Sequence, residues 1–252
     1  SPALYGTSLL YDEQGNDTYS SNSYFSQASA IVGVSLLVDL NGNDNYYCNS
    51  FSQGFGSTLG VGVLIDKKGT DCYAKHPEIE NSLSFVQGAA KGRWAEATDG
   101  QSLGGGYGFL FDFNGDDNYN AESFAQGAAY YFGFGALYDK KGDDTYNSSS
   151  HSQGYAAHFA LANLLEISGN DTFNENSNKK EISQIIGSGR DFSAGLFLDF
   201  AGNDSYTFGN RSVGVGDLNG IGIMCDLLGN DNYTWIKNKI NKSSPSLGKI
   251  ID

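Results

Sequence analysis

The stretch Asp199–Tyr206, DFAGNDSY, is one copy of a pattern that returns from one end of the chain to the other. Written as acid-x-x-Gly-[Asn/Asp/Thr]-Asp-x-[Tyr/Phe], it starts at Asp12, Asp39, Asp66, Asp112, Asp139, Glu166, Asp199 and Asp226. The second acids are Asp17, Asp44, Asp71, Asp117, Asp144, Asp171, Asp204 and Asp231, and the copies close on Tyr19, Tyr46, Tyr73, Tyr119, Tyr146, Phe173, Tyr206 and Tyr233. Successive starts are 27, 27, 46, 27, 27, 33 and 27 residues apart, so the period is 27 with two longer steps. A period of this length in a 252-residue chain marks a solenoid whose units bury their apolar faces only by stacking.

Each copy is preceded by an apolar run such as SLLVD at 35–39 or GLFLD at 195–199. Two residues before the acid stands a large apolar side chain, from Leu10 and Leu37 to Phe197 and Met224. The two positions before that, at spacings of two, are almost wholly Gly, Ser or Ala, while the intervening positions, such as Val34, Val61, Phe134, Leu161 and Ile221, are apolar. With both sets apolar or tiny, alternation does not choose the inward face. The Gly columns are either two walls packed closely across a narrow interior or a flat outer face that a second molecule covers. After the motif, runs such as YYCNSFSQG from Tyr46 and YNAESFAQG from Tyr119 alternate cleanly and read as strand. Three short strands per repeat predict a single-domain, all-β parallel β-helix of about eight coils, right-handed by the crossover rule and on the order of 38 Å long. A propeller is the runner-up, but its blades need about 40 residues.

The longer steps predict insertions at 74–101 and 174–190. The lysine-containing stretch 234–252, which loses the repeat, is expected to cap the last coil or to link onward.

The net charge of −14 is concentrated in the motifs, which hold 16 of the 29 acids and leave 13 acids against 15 bases elsewhere. This speaks against nucleic acid or an anionic membrane as partner and toward cations. No stretch is long and apolar enough to insert in a bilayer. Cys48, Cys72 and Cys225 have no motif spacing and read as small buried hydrophobes. No signal peptide is visible, and the chain opens on Ser1-Pro2 inside a repeat, as a trimmed or mature product would.

Stacking puts like carboxylates about 4.8 Å apart, where two unit charges repel by about 0.9 kcal/mol even in water. Summed over two columns this is on the order of 12 kcal/mol, comparable to a domain's stability. Either a hard cation such as calcium offsets it, with all sixteen acids as candidate ligands, or turn amides hold each carboxylate locally. Gln27, Gln53, Gln87, Gln126, Gln153 and Gln184 read as an amide ladder, and exposed Phe51, Phe124 and His151 would suit a glycan.

The G-N-D-x-Y core, as in Gly15-Asn16-Asp17-Thr18-Tyr19, resembles the G-x-D-x-U core of RTX-type calcium-binding β-roll proteins. The longer repeat also looks like repeats of uncharacterised secreted bacterial proteins. The first resemblance implies calcium in the turns, and the second a secreted or cell-surface bacterial protein. The expected function is a non-catalytic structural or adhesive module, with self-association through the Gly-rich face or the N-terminal coil. The alternative is a calcium-dependent polysaccharide-binding or lyase-like enzyme at the insertions, using Arg93, Trp94, Arg190 and His151. Its precedent is the lyases of the β-helix fold, and its basic groups would have to converge on one groove.

Overall fold

In the computed structural model, which describes residues 2–81, 83–94, 100–177, 182–236 and 250–251, every element is a β-strand. Each coil contributes one strand to each of three walls, except that one coil joins the third wall only through bridges at Gly56. The first wall is Thr7–Asp12, Gly33–Asp39, Gly60–Ile65, Tyr107–Phe111, Phe134–Asp139, Leu161–Glu166, Ala194–Asp199 and Ile221–Asp226, hydrogen-bonded in that order, with Ile250–Ile251 added at the end. The second runs from Thr18–Ser20 to Asn232–Trp235, and the third is built of two- and three-residue strands such as Ala129–Tyr130. All pairings between strands of the walls are parallel and unshifted, so Asp12 faces Asp39, and Tyr19, Tyr46 and Tyr73 lie in one line. Strands of one wall come from different coils, which is a β-solenoid of about eight turns and not a propeller.

The stacked aromatic column shows how little the coils rotate. Its ring centroids are 4.6–5.0 Å apart and its interplanar angles lie between 1° and 12°. Strands in open sheets usually turn by about 20–25° from neighbour to neighbour, so these walls are flat. Flat sheets persist where side-chain ladders hold them, and here the buried tyrosines face the buried leucine column from Leu37 to Leu164.

The inward face of the first wall is now assigned. In Gly33–Asp39 the inward side chains are Ser35, Leu37 and Asp39, and the outward ones are Val34, Leu36 and Val38. The small-residue column therefore lies inside and is not an outer docking surface. At Gly62 a Cβ would come within 2.2 Å of the Phe55 carbonyl oxygen and 2.4 Å of that of Ala28. The interior is a wedge, wide at the tyrosines and closed by backbone contact at the glycines.

The stretch after the second wall bears out the strand reading at Ser150–Ser152 and Ser183–Ile185, which pair in parallel, and corrects its regular alternation. Phe51 and Gln53 have positive φ, as do Phe85 and Gln87, Phe124 and Gln126, and His151 and Gln153. Alternate left-handed residues turn the chain while leaving both sides of the run filled. The Gln column does not form an amide ladder either. Gln53 Nε2 donates to the Tyr46 carbonyl, and Gln126 Nε2 donates to the carbonyls of Tyr119 and Asn147, tying the turn to the second wall.

The first insertion is not continuous. Neighbouring coils are offset by 46 residues at Asp71–Asp117, by 39 at Ser84–Ser123 and by 27 at Tyr107–Phe134. Seven residues are thus inserted before Ser84 and twelve between Lys91 and Tyr107, and 84–91 is ordinary coil. In the second, Ser183 already pairs with Ser150, so its six extra residues precede Ser183 and Arg190 belongs to the third wall. Of the expected cap 234–252, residues 237–249 and 252 lie outside the described residues, and Ile250–Ile251 extends the first wall.

Gly62→Ala is expected to cost at least about 2 kcal/mol in urea unfolding, because backbone cannot yield to the new Cβ. Gly6→Ala, whose Cβ would meet nothing nearer than 3.9 Å, should be neutral or stabilising by up to about 1 kcal/mol. Equal effects would contradict the close backbone contact at Gly62.

Candidate metal site

The motif turn joins the first wall to the second, and its glycine is needed because the coils stack directly. A Cβ on Gly42 would lie 1.6 Å from the Gly15 carbonyl oxygen. Gly42 does not have a positive φ, so close approach is the constraint there. Two side-chain ladders knit adjacent turns. In the exposed one, the amides of Asn43, Thr70 and Asn170 donate to the side-chain oxygens of Asn16, Asn43 and Asp143 in the preceding coil, at 2.8–3.0 Å. In the buried one the direction reverses: the amides of Asp17, Asp44, Asp71 and Asp117 donate to Oδ1 of Asp44, Asp71, Asp117 and Asp144, each at 2.6 Å.

The carboxylates do not splay into water. Thirteen of the sixteen are at most 2% exposed, and only Asp12, Asp17 and Asp231, in the end coils, are half-buried. First-column acids are held by tyrosine hydroxyls, which the sequence reading missed. The hydroxyls of Tyr19, Tyr46, Tyr73, Tyr119 and Tyr146 each donate to the acid of the next coil, Asp39, Asp66, Asp112, Asp139 and Glu166, at 2.5–2.7 Å. Phe173 has no hydroxyl to give Asp199. Tyr206 and Tyr233 instead donate to Asp199 and Asp226 of their own coils, so every first-column acid from Asp39 onward keeps one phenol. The lone Phe in the column was the available signal.

The second column is satisfied only halfway. Oδ2 of Asp44, Asp71, Asp117, Asp144, Asp171 and Asp204 is buried and has no hydrogen-bond partner while every carboxyl is ionised, although a proton shared with Asp66 or Asp139 would bridge Asp71 or Asp144. These acids fall into triplets, among them Asp39, Asp44 and Asp66, then Asp66, Asp71 and Asp112, then Asp112, Asp117 and Asp139, with ligand oxygens within 4.8 Å of one another. Each triplet combines first-column acids of two successive coils with the second-column acid between them. Successive triplets share a first-column acid, which makes a continuous row. All donors are hard oxygens, which suits calcium, magnesium or manganese and not soft metals.

Burial dominates the titration of these groups. It pushes Asp44 up to about 7, Asp71 to about 8, Asp171 to about 9 and Asp144 to about 10, with neighbouring carboxylates adding to it and the donated amides opposing it. Asp112 and Glu166 are raised well above the carboxylate range by the same causes. Amides alone therefore do not keep the columns ionised. Either protons or cations must neutralise part of them.

The residues of the alternative site gather away from the carboxylate columns, with Trp94 and Arg190 linked through His158 and Asp191. Trp94 packs on Tyr130, Tyr131 and His158, while the imidazole of His158 lies 3.0 Å from Asp191. Arg190 lies beside Asp191 and Asp217, the acid that also pairs with Arg211, and Arg93 bridges through its backbone to Leu103. His151 sits in a ring ladder with Phe124, Phe85 and Phe51 and is lowered to about 4 by burial, with Arg190 and Arg211 adding to it. Rings stacked face to face present edges outward, so this ladder is not a platform for a sugar face. All these groups lie toward the third wall, whereas the acids lie at the turn between the first and second. Cys48 is buried with Leu83, Val86 and Ala125, while Cys72 and Cys225 are only half-buried on outward faces.

No known protein family, curated protein or solved structure matches this chain.

For the metal-free chain, folded carboxyls titrate above their unfolded values, so the folded state holds more protons between the two. Stability then falls as pH rises through that interval. Melting in chelator should show a decline from about pH 5 to about pH 9, and a rise across that range would contradict the burial. Tyr119→Phe, which strips the hydroxyl from Asp139, should cost about 1–3 kcal/mol in urea unfolding, and no loss would mean that the phenol does not hold the column.

Proposed function

We propose that this chain is a non-catalytic structural or adhesive module of the bacterial exterior, a rigid rod in which calcium sits in the row of carboxylate triplets. The observation that carries this reading is the line of six buried second-column Oδ2 atoms with no partner, each belonging to a cluster of carboxylates. A buried oxygen left bare costs on the order of 1–3 kcal/mol, more when charged, and a repeated defect of this kind is removed by one ion per turn. Charge balance agrees. Two carboxylates per coil match one divalent cation per coil, and the sixteen column acids exceed the whole net charge of −14. The resemblance of the G-N-D-x-Y turns to RTX repeats favours calcium among the hard cations. Calcium also suits a chain exported to a calcium-rich exterior, where filled columns would hold the rod rigid.

A lyase-like reading is weaker. Such chemistry needs a base beside the cation, and Arg190, Arg211 and His158 are paired with Asp191 and Asp217 at another corner of the coil.

Thermal unfolding with excess calcium and with chelator tests the reading, together with Asp117→Asn. Asparagine keeps an oxygen for the Asp71 amide and replaces the bare carboxylate oxygen by a donor. The variant should melt at least roughly 3 °C higher than the natural chain in chelator and gain less from calcium. A natural chain that is indifferent to calcium, or a variant equally weakened in both conditions, would contradict it.

A further inference from the structure

The three outward columns of the first wall are the largest feature that the cation reading leaves unused. Eight strands with three outward positions each give 24 sites, of which 22 are apolar; Thr7 and Asn163 are the exceptions, and none is charged. The outward side of the second wall is the opposite, with Thr18, Asn45, Asn118, Thr145, Ser205 and Asn232 in one of its columns. Both faces are made by the same coils with the same spacing, so the contrast is one of composition and not of geometry.

Size decides what such a face requires. Three side chains per strand span about 20 Å and eight coils span about 38 Å, which is on the order of 750 Å². This exceeds the apolar patch of an ordinary monomer, about 300–600 Å². It matches the roughly 800 Å² that each partner contributes to a stable protein interface.

We propose that the first wall is a dimerisation face, packed flat against the same face of a second copy of this chain. Flatness narrows the choice of occupant. The interplanar angles of at most 12° between stacked rings mean that ridges repeat along the rod without fanning out. A twisted sheet meets such a surface only locally, whereas a second copy has the same repeat, the same length and the same absence of charge, and two such sheets pack about 10 Å apart. Relief is self-complementary in the middle column, where a twofold axis between the fourth and fifth coils sets the Phe109 ring of one copy over the small Ala136 of the other; in the flanking columns the same axis sets Tyr107 against Phe134 and Phe111 against Tyr138. Outside the carboxylate columns the chain has 13 acids and 15 bases, so the copies do not repel strongly. The carboxylate columns lie inside the coil, so the dimer does not depend on the cation reading.

Sedimentation velocity of the full chain from nanomolar to tens of micromolar, with calcium and with chelator, tests the proposal. The chain is expected to be a dimer in the micromolar range. Phe109→Glu and Leu196→Glu, each on the outward face, should weaken it at least ~100-fold while leaving far-UV circular dichroism unchanged. Thr207→Glu, on the outward side of the polar wall, should leave it intact and controls for added charge. A monomer at every concentration overturns the proposal, whether or not it floats with phosphatidylcholine vesicles; flotation would assign the face to lipid. A dimer indifferent to both first-wall variants overturns it as well, because the contact then lies elsewhere, as at the N-terminal coil.

Discussion

Every coil lays two carboxylates directly over those of the coil before it and then closes the interior around them. In water such neighbours would repel modestly, but at 0–2% exposure the dielectric that softens the repulsion is largely gone. The rest of the turn can be understood as a response. One oxygen of each second-column Asp from Asp44 onward takes an amide from the adjacent coil, one oxygen of each first-column acid from Asp39 onward takes a phenol, and the glycine lets the coils come close enough for both. What this scheme cannot supply is a partner for the second Oδ2, and burial accordingly lifts these groups far above ordinary carboxylates. The turn is a half-satisfied carboxylate cluster, repeated, of a kind that could hold a metal ion.

The reversal at Phe173 shows how strictly the phenol is apportioned. Had Tyr206 and Tyr233 pointed to the next coil, Asp199 would have lost its donor. By turning to their own coils they supply Asp199 and Asp226, and the column's remaining acid, Asp12, whose own Tyr19 donates onward to Asp39, is half-buried and reaches water. The same coil carries Glu166 in place of Asp, and its longer arm accepts both the Tyr146 hydroxyl and the amide of Ile167. One missing hydroxyl and one extra methylene thus occur together where the ladder changes direction.

Much of this was legible in the residues themselves. The 27-residue spacing of eight acid-Gly-Asp motifs is enough to place like side chains in columns, and the columns of Asp and Tyr lie where that spacing puts them. Alternation failed on the first wall because tiny residues inside and apolar residues outside produce no polar contrast, so Val34 and Gly62 could not be ranked. Alternation misled after the second wall because residues such as Phe51 and Gln53 adopt left-handed backbone, a choice no side-chain pattern announces. The two insertions looked longer than they are because Leu83–Lys91, which keeps the repeat in Ser84-Phe85-Val86-Gln87-Gly88, lies between two shorter inserts, and Ser183–Arg190, whose side chains depart from it, keeps its place in the coil. Which oxygen each tyrosine seeks depends on distances that spacing does not encode.

The central claim is that the columns are built to hold one divalent cation per turn and not one proton per turn. Counting bound calcium by equilibrium dialysis at neutral pH, with the protons released on binding followed in parallel, addresses it directly. The account predicts several calcium ions per chain, close to one for each pair of successive coils, and a proton release that shrinks as pH rises. A stoichiometry of zero or one, with the columns still folded and still titrating far above the carboxylate range, would contradict it and leave shared protons as what the buried acids hold.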